Sequence, residues 1–136
     1  MHLSLAGGAE AVAQIAIFKA MNAMYHHPTD QSNEDIRVLI SQMETFLPSL
    51  PLSRQLNIVL ANAHRNLGQY EQAIGVISRF INNKELVSQN DADLAAAYYN
   101  RACYLVLSGQ SQNAISDLKK CTILEYALKR GSYSSC

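Results

Sequence analysis

Apolar residues recur along the chain at spacings of three and four, in stretches separated by glycine and proline. From about Ala9 to His26 the small and apolar positions are Ala13, Ala16, Ile17, Ala20 and Met24. After the polar segment HPTDQSN, Ile36, Leu39, Ile40, Met43 and Leu47 share one helical face, until Pro48 and Pro51 stop it. Ser32 or Asn33 can cap that second helix, and Glu34 and Asp35 suit its first turn. A third stretch opens at Ser53, a cap candidate, carries Leu56, Val59, Leu60, Ala63 and Leu67, and closes at Gly68. The fourth presents Tyr70, Ala73, Ile74, Ile77, Phe80 and Ile81, and a polar loop, NNKELVSQNDAD, follows it. Leu94, Tyr98, Ala102, Leu105 and Val106 mark a fifth helix ended by Gly109. Ala114, Ile115, Leu118, Cys121, Ile123 and Leu124 mark a sixth, which ends before Gly131. No segment alternates with a period of two for long enough to be a strand. The pattern predicts an all-α protein of about six helices.

Gly68 and Gly109 stand 41 residues apart and anchor an internal repeat. Around each the chain writes helix, Gly-Gln, a very short turn and helix: AHRNLGQYEQAIGVISRFI and CYLVLSGQSQNAISDLKKC. Aligning the glycines superposes Ala61 on Ala102, Ala73 on Ala114, Ile74 on Ile115, Ile77 on Leu118 and Phe80 on Cys121. Small residues at Ala61, Ala73, Ala102 and Ala114 let two antiparallel helices approach closely, while larger ones fill the space between hairpins.

These residues resemble the tetratricopeptide repeat, a helix-turn-helix unit with the pattern W-x2-L-G-x2-Y…A-x3-F…P. Leu60 and Ala61 take its Leu-Gly place, His64 its Tyr, and Ala73 and Ile77 its A-x3-F pair. In the later unit Tyr98 takes the Trp place, Ala102 the Gly, Leu105 the Tyr, Ala114 the Ala and Leu118 the Phe. Asn57 replaces the usual aromatic, Arg101 the usual Leu, and Ser111 stands where the preceding unit has Tyr70. The period exceeds the family's usual length, and the loop from Asn82 to Asp93 is expected to absorb the excess. In the first two helices Ile36, Ile40, Met43 and Pro48 fit A-x3-F…P, while the first helix shows no clear register. The resemblance implies an α-solenoid of three antiparallel hairpins in a single domain, 1–136. It divides into a degenerate hairpin (9–50) and repeats at 52–83 and 91–129, with frayed tails at 1–8 and 131–136.

A solenoid of this family implies a concave groove lined by the first helix of each hairpin, suited to a peptide or helix of a protein partner. Its groove places fall on Gln55, Ile58, Asn62, Arg65 and Asn66, then on Ala96, Tyr99, Asn100, Cys103 and Val106. Side-chain amides at Asn62 and Asn100 can bond both N–H and C=O of a peptide backbone, and Tyr99 adds a flat contact surface. The stretch AYYNRACYLVLSGQSQNAISDLKKC is also similar to the Y-x-N-R-A repeat of carboxylate-clamp co-chaperones, whose two asparagines coincide with Asn62 and Asn100. The clamp's lysine one turn before the first asparagine is Ile58, however, and its other cations have no counterpart. A carboxylate held without cations gains far less than a charge-assisted pair. The alternative implied role is an assembly or chaperone subunit, or part of a larger repeat protein, that stacks through its last hairpin, including on a second copy.

Composition narrows the classes. The sequence is 49% hydrophobic, which permits a packed core, and its 11 basic and 11 acidic residues give a net charge of zero. Such a balance lacks the excess that non-specific nucleic-acid or membrane binding needs. The charge is uneven: residues 1–50 carry two basic and five acidic groups. Near the other end Lys119, Lys120, Lys129 and Arg130 outnumber Asp117 and Glu125, forming a basic docking patch or a solvated helix end. The N-terminus has no basic region before its apolar residues, and no run reaches the roughly 18 residues of a spanning helix. Cys103, Cys121 and Cys136 form no C-x-x-C pair. Cys103 and Cys121 are expected as buried thiols of a reduced, cytoplasmic protein. His26 and His27 diverge on a helix with no ligand nearby, and His64 reads as a packed histidine. No nucleophile elbow, phosphate loop or metal motif is present. The expectation is a non-enzymatic interaction scaffold without cofactor or metal.

Overall fold

The computed structural model describes residues 5–25, 30–50, 53–83 and 91–127. Within them the chain forms helices α1 (Leu5–Tyr25), α2 (Asp30–Phe46), α3 (Arg54–Asn66), α4 (Tyr70–Ile81), α5 (Asp91–Leu107) and α6 (Ser111–Ala127). One turn of 3₁₀ helix, Leu47–Ser49, extends α2. No strand occurs among the described residues. Consecutive helices pair into hairpins α1–α2, α3–α4 and α5–α6, and the second helix of each hairpin packs on the first helix of the next. The first helices also touch one another along one side, α1 on α3 and α3 on α5. This is the all-α stack of hairpins that the breakers and the period of 41 predict.

The repeat reaches further back than the sequence motifs suggest. Ala20, Ala61 and Ala102, at steps of 41 residues, are all buried where the two helices of a hairpin meet the core. Gln14 on α1 donates from Nε2 to Oε1 of Gln55 on α3 at 3.4 Å, a pair separated by the same 41 residues. The first helix therefore does keep the register. Its partner α2 keeps it too: Ile36, Leu39 and Ile40 fall on Ile77, Phe80 and Ile81, all buried. Ile36 accordingly occupies the Phe place of the motif, not the Ala place, which belongs to Ser32. Two boundaries also move. α1 begins at Leu5 and takes in Gly7 and Gly8, which were expected to fray, and α2 begins at Asp30, so Ser32 and Asn33 lie inside the helix and do not cap it. Residues 1–4 and 131–136, the other parts of the expected tails, lie outside the described residues, as do residues 84–90 of the expected loop.

Local chemistry at the turns explains why the hairpins are tight. Ser53 caps α3, its hydroxyl accepting from the Leu56 N–H at 3.1 Å. At the other end Gly68 sits in the left-handed region (φ +76°), with Gln69 N–H on the His64 carbonyl at 2.9 Å and Gly68 N–H on that of Arg65 at 2.9 Å. This is the Schellman closure, and it recurs at Gly109 (φ +85°), with Gln110 N–H on Leu105 and Gly109 N–H on Val106. At the first of these turns Nδ1 of the buried His64 lies 2.7 Å from Oε1 of Gln69, and its Nε2 faces Glu44 of α2 at 3.8 Å. His64 is thus a packing and tethering residue.

Glycine substitutions at these places separate conformation from space. A Cβ at Gly68, Gly75 or Gly109 would meet nothing within 4 Å. Gly68→Ala and Gly109→Ala are each expected to lower stability by about 1–2 kcal/mol through the left-handed backbone alone. Gly75→Ala, inside α4 and exposed, is expected to raise it by about 0.5–1 kcal/mol. Urea unfolding of the three variants checks the opposite signs.

Candidate peptide-binding groove

Polar contacts among the described residues tie the side on which the first helices meet. Besides the Gln14–Gln55 bond, Arg54 at the start of α3 pairs with Asp93 at the start of α5 at 3.3 Å. Burial raises the Asp93 carboxyl above the ordinary aspartate range, and the Arg54 charge partly offsets this. Further along, the Tyr104 hydroxyl of α5 donates to Oδ1 of Asn62 on α3. Tyr104 is fully buried, so desolvation pushes its phenol well above the ordinary tyrosine value, against the charge of nearby Arg65. It remains a neutral donor.

The residues expected in the groove separate by exposure. Gln55 and Asn66 are exposed, and Ile58, Asn62, Arg65 and Tyr99 are half-buried along α3 and α5. Val106 is exposed, whereas Ala96 and Cys103 are buried. Asn100 is 4% exposed, and its Nδ2 donates to the Ala96 carbonyl of its own helix at 2.8 Å. Asn62 and Asn100, alike in the sequence, therefore do different work. Cys103 and Cys121 are both buried, but Cys103 is disulfide-bonded, in place of the expected thiol. Cys136 lies outside the described residues.

Of the arginines Arg65 and Arg101, only Arg65 is in a position to serve the groove. Arg101 points between hairpins. Its Nε and Nη2 donate to the two carboxylate oxygens of Asp117 on α6, each at 2.7 Å, and Nη1 donates to Ser78 Oγ on α4 at 3.2 Å. The bond to Asp117 holds the guanidinium above its ordinary value despite burial. Asp117 itself is buried. Tyr98 carries Arg101 at 5.5 Å and Lys120 at 5.3 Å from its ring centre. Lys119 and Lys120 are exposed, while Lys129 and Arg130 lie outside the described residues. The sequence reading missed Tyr104 and the Arg101–Asp117 and Arg54–Asp93 pairs.

Among the described residues no cluster of three His, Cys, Asp or Glu side chains is placed to hold a metal ion, and no helix is long and apolar enough to cross a membrane. What the fold defines is a stack of helical hairpins with its first helices aligned on one side. Residues 88–125, which take in α5 and most of α6, match the family model described as tetratricopeptide repeat. Repeats of this kind are generally protein–protein interaction motifs and typically non-catalytic. No curated protein sequence matches the chain.

Proposed function

We propose that the protein is a non-catalytic scaffold that holds an extended peptide or a helix of a partner protein along α1, α3 and α5, and so acts as an adaptor. The ligand rests on Gln55, Ile58, Asn62, Arg65, Asn66 and Tyr99. The observation that carries this reading is the Tyr104–Asn62 bond. By occupying the Asn62 oxygen from below, Tyr104 leaves the amide NH2 as a fixed donor. Beside it, Arg65 makes no ion pair with a carboxylate among the described residues. Two donors held together favour a backbone carbonyl and an acidic group of the ligand, with the Tyr99 ring as an apolar rest. The buried Asn100 supports the helix and does not touch the ligand.

Selection of peptides from a displayed random library tests the reading. Selected peptides are expected to lose about tenfold or more in affinity on Arg65→Ala, the worth of a charge-assisted hydrogen bond. Asn100→Ala at equal folding is expected to leave recognition of the same peptides in place. Peptides bound equally well by the Arg65→Ala protein would contradict it.

A further inference from the structure

The same repeat place is buried on two of the second helices and open on the third. Ile36 on α2 and Ile77 on α4 are 0% exposed, each packed where the next hairpin begins, whereas Leu118 at the equivalent place on α6 is 42% exposed. Thr122, on the place of the buried Ile40 and Ile81, is exposed too. With Ile115, Lys119 and Ile123 these residues line a shallow hollow of about 430 Å³. The mirror image holds on α1. Ile15 and Phe18 occupy the places of Leu56 and Val59, which are buried on α3, yet they are 54% and 70% exposed. Their neighbour Lys19 takes the place of Leu60 and Arg101. This flank of a first helix faces the preceding hairpin, as the bonds of Arg101 to Ser78 and the approach of His64 to Glu44 establish.

We propose that the α6 face takes the α1 face of a second copy of this chain, continuing across the boundary the hairpin-on-hairpin packing already made twice within it. In that register Leu118 is covered by Ile15 and Phe18 of the neighbouring copy, as Ile77 is covered within the chain. The contact joins two different surfaces and does not close on itself, so it builds open, head-to-tail stacks. One place is mismatched: Lys119 and the neighbouring copy's Lys19 meet where Ser78 and Arg101 meet within the chain. The proposal is independent of what the groove holds.

Sedimentation of the whole chain over a wide concentration range tests it. The wild type is expected to exceed the 15.0 kDa of one copy progressively as concentration rises. Phe18→Glu and Leu118→Glu, both at exposed places, are each expected to weaken association about tenfold or more on their own. Mixed in equal amounts, they still form a one-to-one pair through the face each retains. Lys119→Ser, which copies the α4 residue, is expected to tighten association by about threefold. A wild type that stays monomeric throughout overturns the proposal and leaves the α6 face to residues 128–136 or another protein. Either Glu variant associating unchanged by itself also overturns it, since the contact would then join like faces. Helical circular dichroism confirms equal folding in each case.

Discussion

Arg101→Leu is expected to cost the fold about 3–5 kcal/mol, a fall of roughly 10 °C or more in melting temperature. The loss comes from what is left behind. Asp117 stays buried, with 4% of its side chain exposed, and no longer receives the two hydrogen bonds at 2.7 Å that compensate its desolvation. Asp117→Val is expected to cost less, because the Arg101 side chain is 18% exposed and keeps Ser78 and the Tyr98 ring. The double variant Arg101→Leu/Asp117→Val is expected to return to wild-type stability or exceed it. It installs the residues that the preceding hairpin uses at the same two places, Leu60 and Val76, both buried. Thermal unfolding of the four proteins as a double-mutant cycle reads the coupling directly. A double variant as unstable as Arg101→Leu would show that the two places are not equivalent.

Tyr104→Ala carries the second large effect, about 3–5 kcal/mol, for a fully buried ring lost between α3 and α5. Tyr104→Phe keeps the ring and removes only the hydroxyl, so about 1 kcal/mol is expected. The two variants differ in what they say about function. With phenylalanine at 104 the stack stands, but the Asn62 amide loses its anchor and turns freely. Affinity for a groove peptide is therefore expected to drop on Tyr104→Phe although residue 104 is buried. Chemical unfolding paired with peptide titration separates the two contributions.

Much of the fold was legible because glycine and proline divide the chain and the helical faces are regular. Gly68 and Gly109 are required by left-handed turns, so they mark the hairpins whatever the rest of the sequence does. The first hairpin hid its register because the sequence has His27 and Pro28 at the places of Gly68 and Gln69. Without the glycine, Ile36 was placed one helical turn too early in the motif. The groove was legible only as a set of helix positions. Asn62 and Asn100 look alike in the repeat, and only the burial of Asn100 against its own helix tells them apart. The Arg101–Asp117 pair had a readable signal: the apolar residues at two places of one repeat, Leu60 and Val76, become charged together in the next. Tyr104 had none, since the preceding unit has Ala63 at its place.

The most direct test of the groove is to map a library-selected peptide on the uniformly labelled protein by amide and side-chain chemical shifts. The largest changes are predicted at Gln55, the Asn62 side-chain amide, Arg65, Asn66 and Tyr99, with α2, α4 and α6 little affected. Changes centred on α4 or α6, with Asn62 and Arg65 unmoved, would contradict a ligand-binding role for the aligned first helices.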